Sequence, residues 1–275
     1  MAKRTLLTFS ILIAVLTLVS CSISIINNGI YQDGAWANAQ WLGQDMVTLL
    51  LALPFLLISL SRGVQNSNWK WTLVHSGILL YFTYTYSFYM FAAELSFLYL
   101  LQVPIFGLAV IGMVISLIEI FKHDRVCSFK GRGLKITIIA YLLLISILIA
   151  SLWIKDLVSH LADPNHLSDT PDGKAPLIIY SLDLALIIPL MLASAVLMAK
   201  NKTLGYILGG IILTKTSTLG FALMAMALSL YIQNLDPDYF LIILWSIIGV
   251  AGTILTLSYM KKLSVSDTDH HSHEN

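Results

Sequence analysis

The chain has 275 residues, of which 57% are hydrophobic and 11% charged, and its formal net charge is +1. With a mean hydropathy of +0.82, it has too little polar surface to coat a water-soluble globule of this size, so lipid must do the coating. No basic surface is available for nucleic acid; the expected partner is the lipid bilayer, together with a small-molecule or ion ligand.

Eight apolar runs follow one another, near 5–26, 44–61, 72–92, 96–121, 135–154, 176–199, 204–231 and 239–260. Each is close to or above the ~20 residues that cross a ~30 Å hydrocarbon core. Backbone polar groups find no water there, and nothing alternates with the period of two of a barrel strand. The runs therefore predict helices, and the fold class is an all-α polytopic membrane bundle of eight spans. Of the sixteen Lys and Arg residues, all but Lys155, Lys174 and Lys215 fall in connections on one side. That asymmetry predicts a multi-pass protein of the cell membrane with both termini cytoplasmic. Residues 1–262 form one transmembrane domain, and 263–275 read as a disordered, His-rich tail.

The start, MAKRTLLTFSILIAVLTLVSC, has a second reading as a lipoprotein leader cleaved at Cys21, which leaves seven spans. The apolar stretch runs on through SISII, which favours an intact first span. Cys21 and Cys127 have no metal-site or CxxC spacing, and the predicted topology puts them on opposite sides of the membrane.

The first outer loop carries Trp36 and Trp41, which read as interfacial anchors. The second run opens with Gln44, Asp45 and Thr48 and contains Pro54. The third is rich in tyrosine, including Tyr84, Tyr86 and Tyr89, with His75 near its cytoplasmic end and Glu94 in the outer turn that follows. The loop KHDRVCSFKGRGLK then divides the chain into two halves of four runs. P54-F-L-L-I-S59 resembles P189-L-M-L-A-S194, and G77-I-L-L-Y-F-T-Y-T resembles G210-I-I-L-T-K-T-S-T. Equal orientation of the halves predicts a parallel repeat about an axis along the membrane normal, with Phe82 as the counterpart of Lys215.

Lys215 is the residue hardest to place, since a charge at mid-membrane costs roughly 3 kcal/mol on insertion scales. Asp183 lies some 10 Å below the outer boundary on the preceding run, and the connection 201–203 makes the two helices antiparallel neighbours. An Asp183–Lys215 pair is expected. Gln44, Asp45, Glu94, Tyr84, Tyr86, Thr214 and Thr218 reach the same outer half and are expected to complete one outward-facing polar site. Asp45 also reads as a charge suited to a helix N-terminus. Asp156, His160 and Asp163 share a face in an outer loop, but no open metal-ligand set is evident. P-loop, GxSxG, HExxH and dinucleotide motifs are absent, and no catalytic residue or cofactor is indicated.

Three functions fit these residues. The first is a small-solute or ion transporter or binder at Asp183 and Lys215. The second is an intramembrane enzyme acting on a lipid or quinone, with Asp45, Glu94 or Lys215 as acid and base. The third is a structural or assembly protein in which the charge pair only joins helices. A retinal-type Schiff base at Lys215 fits poorly, because no Asp precedes the lysine by one turn.

The segments QDMVTLLLALPFLL, YTYSFYMFAAELSFLYL and LDLALIIPLMLASAVLMAKNKTLGYILGGIILTK resemble an uncharacterised family of bacterial multi-pass membrane proteins over most of the chain. The resemblance implies a membrane bundle marked by the Asp of the QD pair, the tyrosine-rich third span, and the Asp and Lys of the sixth and seventh. It brings no activity with it.

Overall fold

The computed structural model describes residues 2–27, 29–122, 125–163, 165–168, 170, 176–235 and 239–267. His123, Lys174 and the tail beyond 267 lie outside the described residues. Eight long helices are present among those described: α1 (Ala2–Ile26), α2 (Ala35–Gln65), α3 (Trp69–Phe91), α4 (Tyr99–Phe121), α5 (Arg132–Ala162), α6 (Leu177–Ala199), α7 (Thr203–Ile232) and α8 (Tyr239–Lys262). All but α3 are long and apolar enough to cross a membrane. Helix α3 has the length, at 23 residues, but its Tyr, Thr, Ser and His side chains dilute its apolar character. It is walled by other helices, so it needs no lipid-facing stripe.

The outer faces show what surrounds the bundle. On α8, Ile243, Ile247, Val250, Ile254 and Leu257 recur at helical spacing and all point outward. On α5, Leu144 and Ile147 do the same. In water such stripes would carry charges, and a contiguous apolar surface of this extent fits the hydrocarbon of a bilayer.

Two helices begin or end beyond the predicted limits. Helix α2 starts at Ala35 rather than near 44, since nothing from Ala35 to Gln44 breaks a helix. Helix α5 continues to Ala162, past 154, because its last turns rest against the segment that precedes α6. The predicted disordered tail is also shorter at its near end. Residues Leu263–Asp267 form β2, which pairs antiparallel with β1 (Arg125–Phe129) in the register Cys127↔Val265. Buried Leu263 and Cys127 explain this departure, because the ladder shelters apolar side chains at the basic end of the bundle.

Helix α3 stands between two cores. Its Leu73, Leu80, Tyr84 and Phe88 face a core built with α5, α6, α7 and α8. Its Ile78, Tyr81, Phe82, Tyr86 and Tyr89 face a second core built with α1, α2 and α4. The 100° step between successive helical residues sends these two sets to opposite sides. Helix α7 passes closest to its neighbours. A Cβ on Gly220 would come within 2.5 Å of Gly249 Cα, so that glycine pair sets the α7–α8 separation.

The α2–α3 and α6–α7 hairpins share a series of local features. In α2 a π-helical turn, Thr48–Ala52, precedes Pro54, and in α6 another, Asp183–Ile187, precedes Pro189. A proline lacks the N–H that would bond four residues back and its ring crowds that carbonyl, so the widened turn relieves both problems. Five residues past each proline stands a fully buried serine, Ser59 or Ser194. Each hairpin then turns through one left-handed residue, Ser67 at φ 56° or Asn201 at φ 54°.

Candidate functional site

Asp45 lies one turn before the first π-helical segment of α2 and is only 2% exposed. The Tyr31 hydroxyl donates to its Oδ2 at 2.6 Å and the Tyr89 hydroxyl to its Oδ1 at 2.8 Å. Cys21 Sγ is 3.6 Å from Oδ1 and 3.9 Å from the Tyr86 hydroxyl. Gln44, on the same turn, donates through Nε2 to the Tyr81 hydroxyl at 2.7 Å, and Thr48 Oγ1 lies 2.9 Å from that hydroxyl. Trp41 packs over Tyr31 and Tyr89 and donates to Asp33, so it closes this cluster and does not stand apart as an anchor.

Every near neighbour of the Asp45 carboxylate is a neutral donor. Among the described residues no lysine, arginine or histidine comes within ion-pair distance of it. Three oxygens in or beside the cluster, Thr17 Oγ1, Ser24 Oγ and Gln44 Oε1, are buried and make no hydrogen bond among the described residues. Ser24 stands beside the carboxylate and Thr17 beside the Tyr86 hydroxyl. The arrangement is rich in oxygen and gives the carboxyl group no positively charged partner among the described residues.

The second cluster lies on the opposite face of α3. Asp183, 5% exposed, opens the π-helical turn of α6. It accepts from the Tyr84 hydroxyl at 2.8 Å and from Trp153 Nε1 at 2.9 Å. Lys215, 1% exposed, puts its Nζ 3.6 Å from the centroid of the Tyr84 ring. The expected direct Asp183–Lys215 pair is therefore absent among the described residues: no ion pair joins them, and the tyrosine ring occupies the space between. The ring's negative face attracts the ammonium while its hydroxyl serves the carboxylate.

The single outward-facing site expected from the sequence is thus two clusters with α3 between them. Gln44, Asp45 and Tyr86 belong to one, and Tyr84, Asp183 and Lys215 to the other. Glu94 is exposed, and its backbone N–H donates to Asp33. Thr214 and Thr218 donate to carbonyls of their own helix, Gly210 and Thr214, and join neither cluster. Asp156 accepts from His166, Ser168 and Tyr180 and gathers no cation site with His160 and Asp163. No group of three or more potential metal ligands is assembled among the described residues.

Some participants lie outside the sequence reading. Tyr31 enters from the outer loop. Cys21 belongs to the α1 stripe Ser10, Thr17, Cys21 and Ser24, whose helical spacing is a signal in plain view. His75, although near the end of its helix, is fully buried and hydrogen-bonds Ser10 at 3.0 Å and Ser59 at 2.9 Å. No protein-family profile, curated protein or solved structure matches this chain. Seven helices long and apolar enough to cross a membrane are compatible with a multi-pass membrane protein.

Proposed function

We propose that the chain is an eight-span transporter or binder of a small solute or ion, in which Asp45 accepts a proton or small cation and Lys215 attracts negative charge. The observation that carries this reading is the Asp45 carboxylate, buried against three neutral donors with no cationic side chain in reach among the described residues. An ionised carboxylate in an apolar interior costs too much to stand uncompensated, so it takes up a proton or a cation. Intramembrane ionisable groups mark ion and substrate paths by default.

In this reading α3 is the eighth span, both termini are cytoplasmic and the membrane is the cell membrane. The two halves form a parallel repeat, supported by the matching order of π-helical turn, proline, buried serine and left-handed turn in α2–α3 and α6–α7. Thr48 and Asp183 then occupy equivalent positions, and the second half has gained its charges. Kinship with the bacterial multi-pass family whose segments it resembles belongs to the same proposal.

The experiment is flux through proteoliposomes holding a pH-sensitive dye, with an imposed potential and Na⁺ or K⁺ gradients. Protein-dependent flux should appear, fall at least tenfold in Asp45→Asn, and fall in Lys215→Met. An Asp45→Asn protein that folds and carries undiminished flux sinks the assignment of Asp45. Wild-type protein that passes neither protons nor these cations and binds none of them sinks the ion reading.

A further inference from the structure

Helices α2, α3, α7 and α8 leave between them an apolar groove of about 380 Å³. Along α3 it runs from Asn68 to Ile78, about 15 Å at 1.5 Å per residue, which matches the depth of one leaflet of a ~30 Å core. Four threonines line it, yet each hydroxyl is spent on its own helix: Thr214 on Gly210, Thr218 on Thr214, Thr253 on Gly249 and Thr256 on Gly252. The shaft is consequently greasy along its length.

Its mouth has a different chemistry. Lys70 lines the groove and donates to the Met260 carbonyl at 3.3 Å, which leaves two further ammonium hydrogens for a ligand. The Arg62 guanidinium lies 4.9 Å from the centroid of the Trp71 ring, and Trp71 is itself a wall residue. Lys261 and Lys262 follow Met260 directly. A shaft one leaflet deep under a cationic mouth has the shape and charge of an anionic phospholipid.

We propose that this groove holds one acyl chain of an anionic phospholipid from the leaflet at the basic end of the bundle, with the phosphate between Lys70 and Arg62. Charge complementarity selects the occupant. A sterol fills the shaft but leaves the two cations unanswered, and a zwitterionic lipid brings its own ammonium beside them, whereas each cation near a net anionic headgroup adds about fivefold in affinity. The site is independent of the Asp45 and Lys215 clusters, so it stands or falls apart from the transport reading.

The test is native mass spectrometry of the detergent-purified full chain, titrated with phosphatidylglycerol and phosphatidylcholine of identical acyl chains, and with oleate. Phosphatidylglycerol should bind at least about fivefold more tightly than phosphatidylcholine, and Lys70→Gln should cut that preference about fivefold, leaving the share of Arg62. Thr253→Trp, which plugs the shaft, should displace the lipid; Leu257→Trp, on a half-lipid-facing position, should do so without loss of fold and decides the matter if Thr253→Trp misfolds. Equal binding of the two phospholipids overturns the proposal. So does phosphatidylglycerol binding that survives a folded Leu257→Trp protein, or oleate binding in its place.

Discussion

Lys215 and Tyr84 form a cation–π contact, with Nζ 3.6 Å from the ring centroid, and the hydroxyl of that same tyrosine donates to Asp183 at 2.8 Å. One side chain from α3 thus couples a buried base on α7 to a buried acid on α6. The coupling is indirect, and so it can be taken apart one contact at a time.

Tyr84→Phe keeps the ring beneath the ammonium and deletes only the hydroxyl. Asp183 retains Trp153, so the expected loss is about 1.5–3 kcal/mol, the range for a hydrogen bond to a charged group. Tyr84→Leu removes the ring face as well and should cost about 2 kcal/mol more, the desolvated cation–π value. Denaturation in mild detergent, monitored by tryptophan fluorescence, measures both. Equal losses for Phe and Leu would mean that the ring contributes nothing to holding Lys215.

The state of Asp45 is open to a double-mutant cycle with Tyr31. If the carboxylate is ionised, Tyr31→Phe should cost about 1.5–3 kcal/mol with Asp45 in place and only about 0.5–1.5 kcal/mol with Asn there. A carboxyl group that already carries a proton gives the same small cost in both backgrounds. Running the cycle with and without the cation that supports flux separates loaded from empty protein.

Close helix contact at Gly220 and Gly249 yields a packing prediction. Gly220→Val drives two methyl groups into the backbone of α8, and overpacking of this kind costs about 1–3 kcal/mol or more. Gly107→Val on α4, where a Cβ meets nothing within 4 Å, should be neutral. The yield of monodisperse protein on size-exclusion chromatography compares the two.

Much of this architecture is legible in the residues, and the limits are physical. Helix positions follow from long apolar runs, because the bilayer imposes one length and one way to satisfy the backbone. The burial of Asp183 and Lys215 follows for the same reason. Their separation does not, since depth along two helices says nothing about a ring inserted from a third. Likewise the hydroxyls and carboxyls of the outer half look like one set when only depth is counted. The rotation of α3 splits them, and rotation within a bundle is set by packing on all sides. His75 illustrates the opposite failure: a position near a helix end suggests exposure, yet the serines of α1 and α2 enclose it.

The β1–β2 ladder supplies a pH-dependent prediction outside the membrane. Burial pushes the Cys127 thiol up from its ordinary value of 9.0 to about 11. Between those values the unfolded chain releases the proton while the folded chain holds it, so the folded state loses ground as pH rises. Stability from this thiol is complete below about pH 9 and declines through pH 11. Urea midpoints of wild type should therefore fall more steeply from pH 8 to 11 than those of Cys127→Ser, and maleimide labelling of the folded protein should stay slow at pH 8. Ser264→Pro removes the ladder donor paired with Ser128, next to Cys127. It should expose the thiol, speed labelling at pH 8 and flatten the pH dependence toward that of Cys127→Ser. A labelling rate at pH 8 equal to that of unfolded protein would show that the ladder does not bury Cys127.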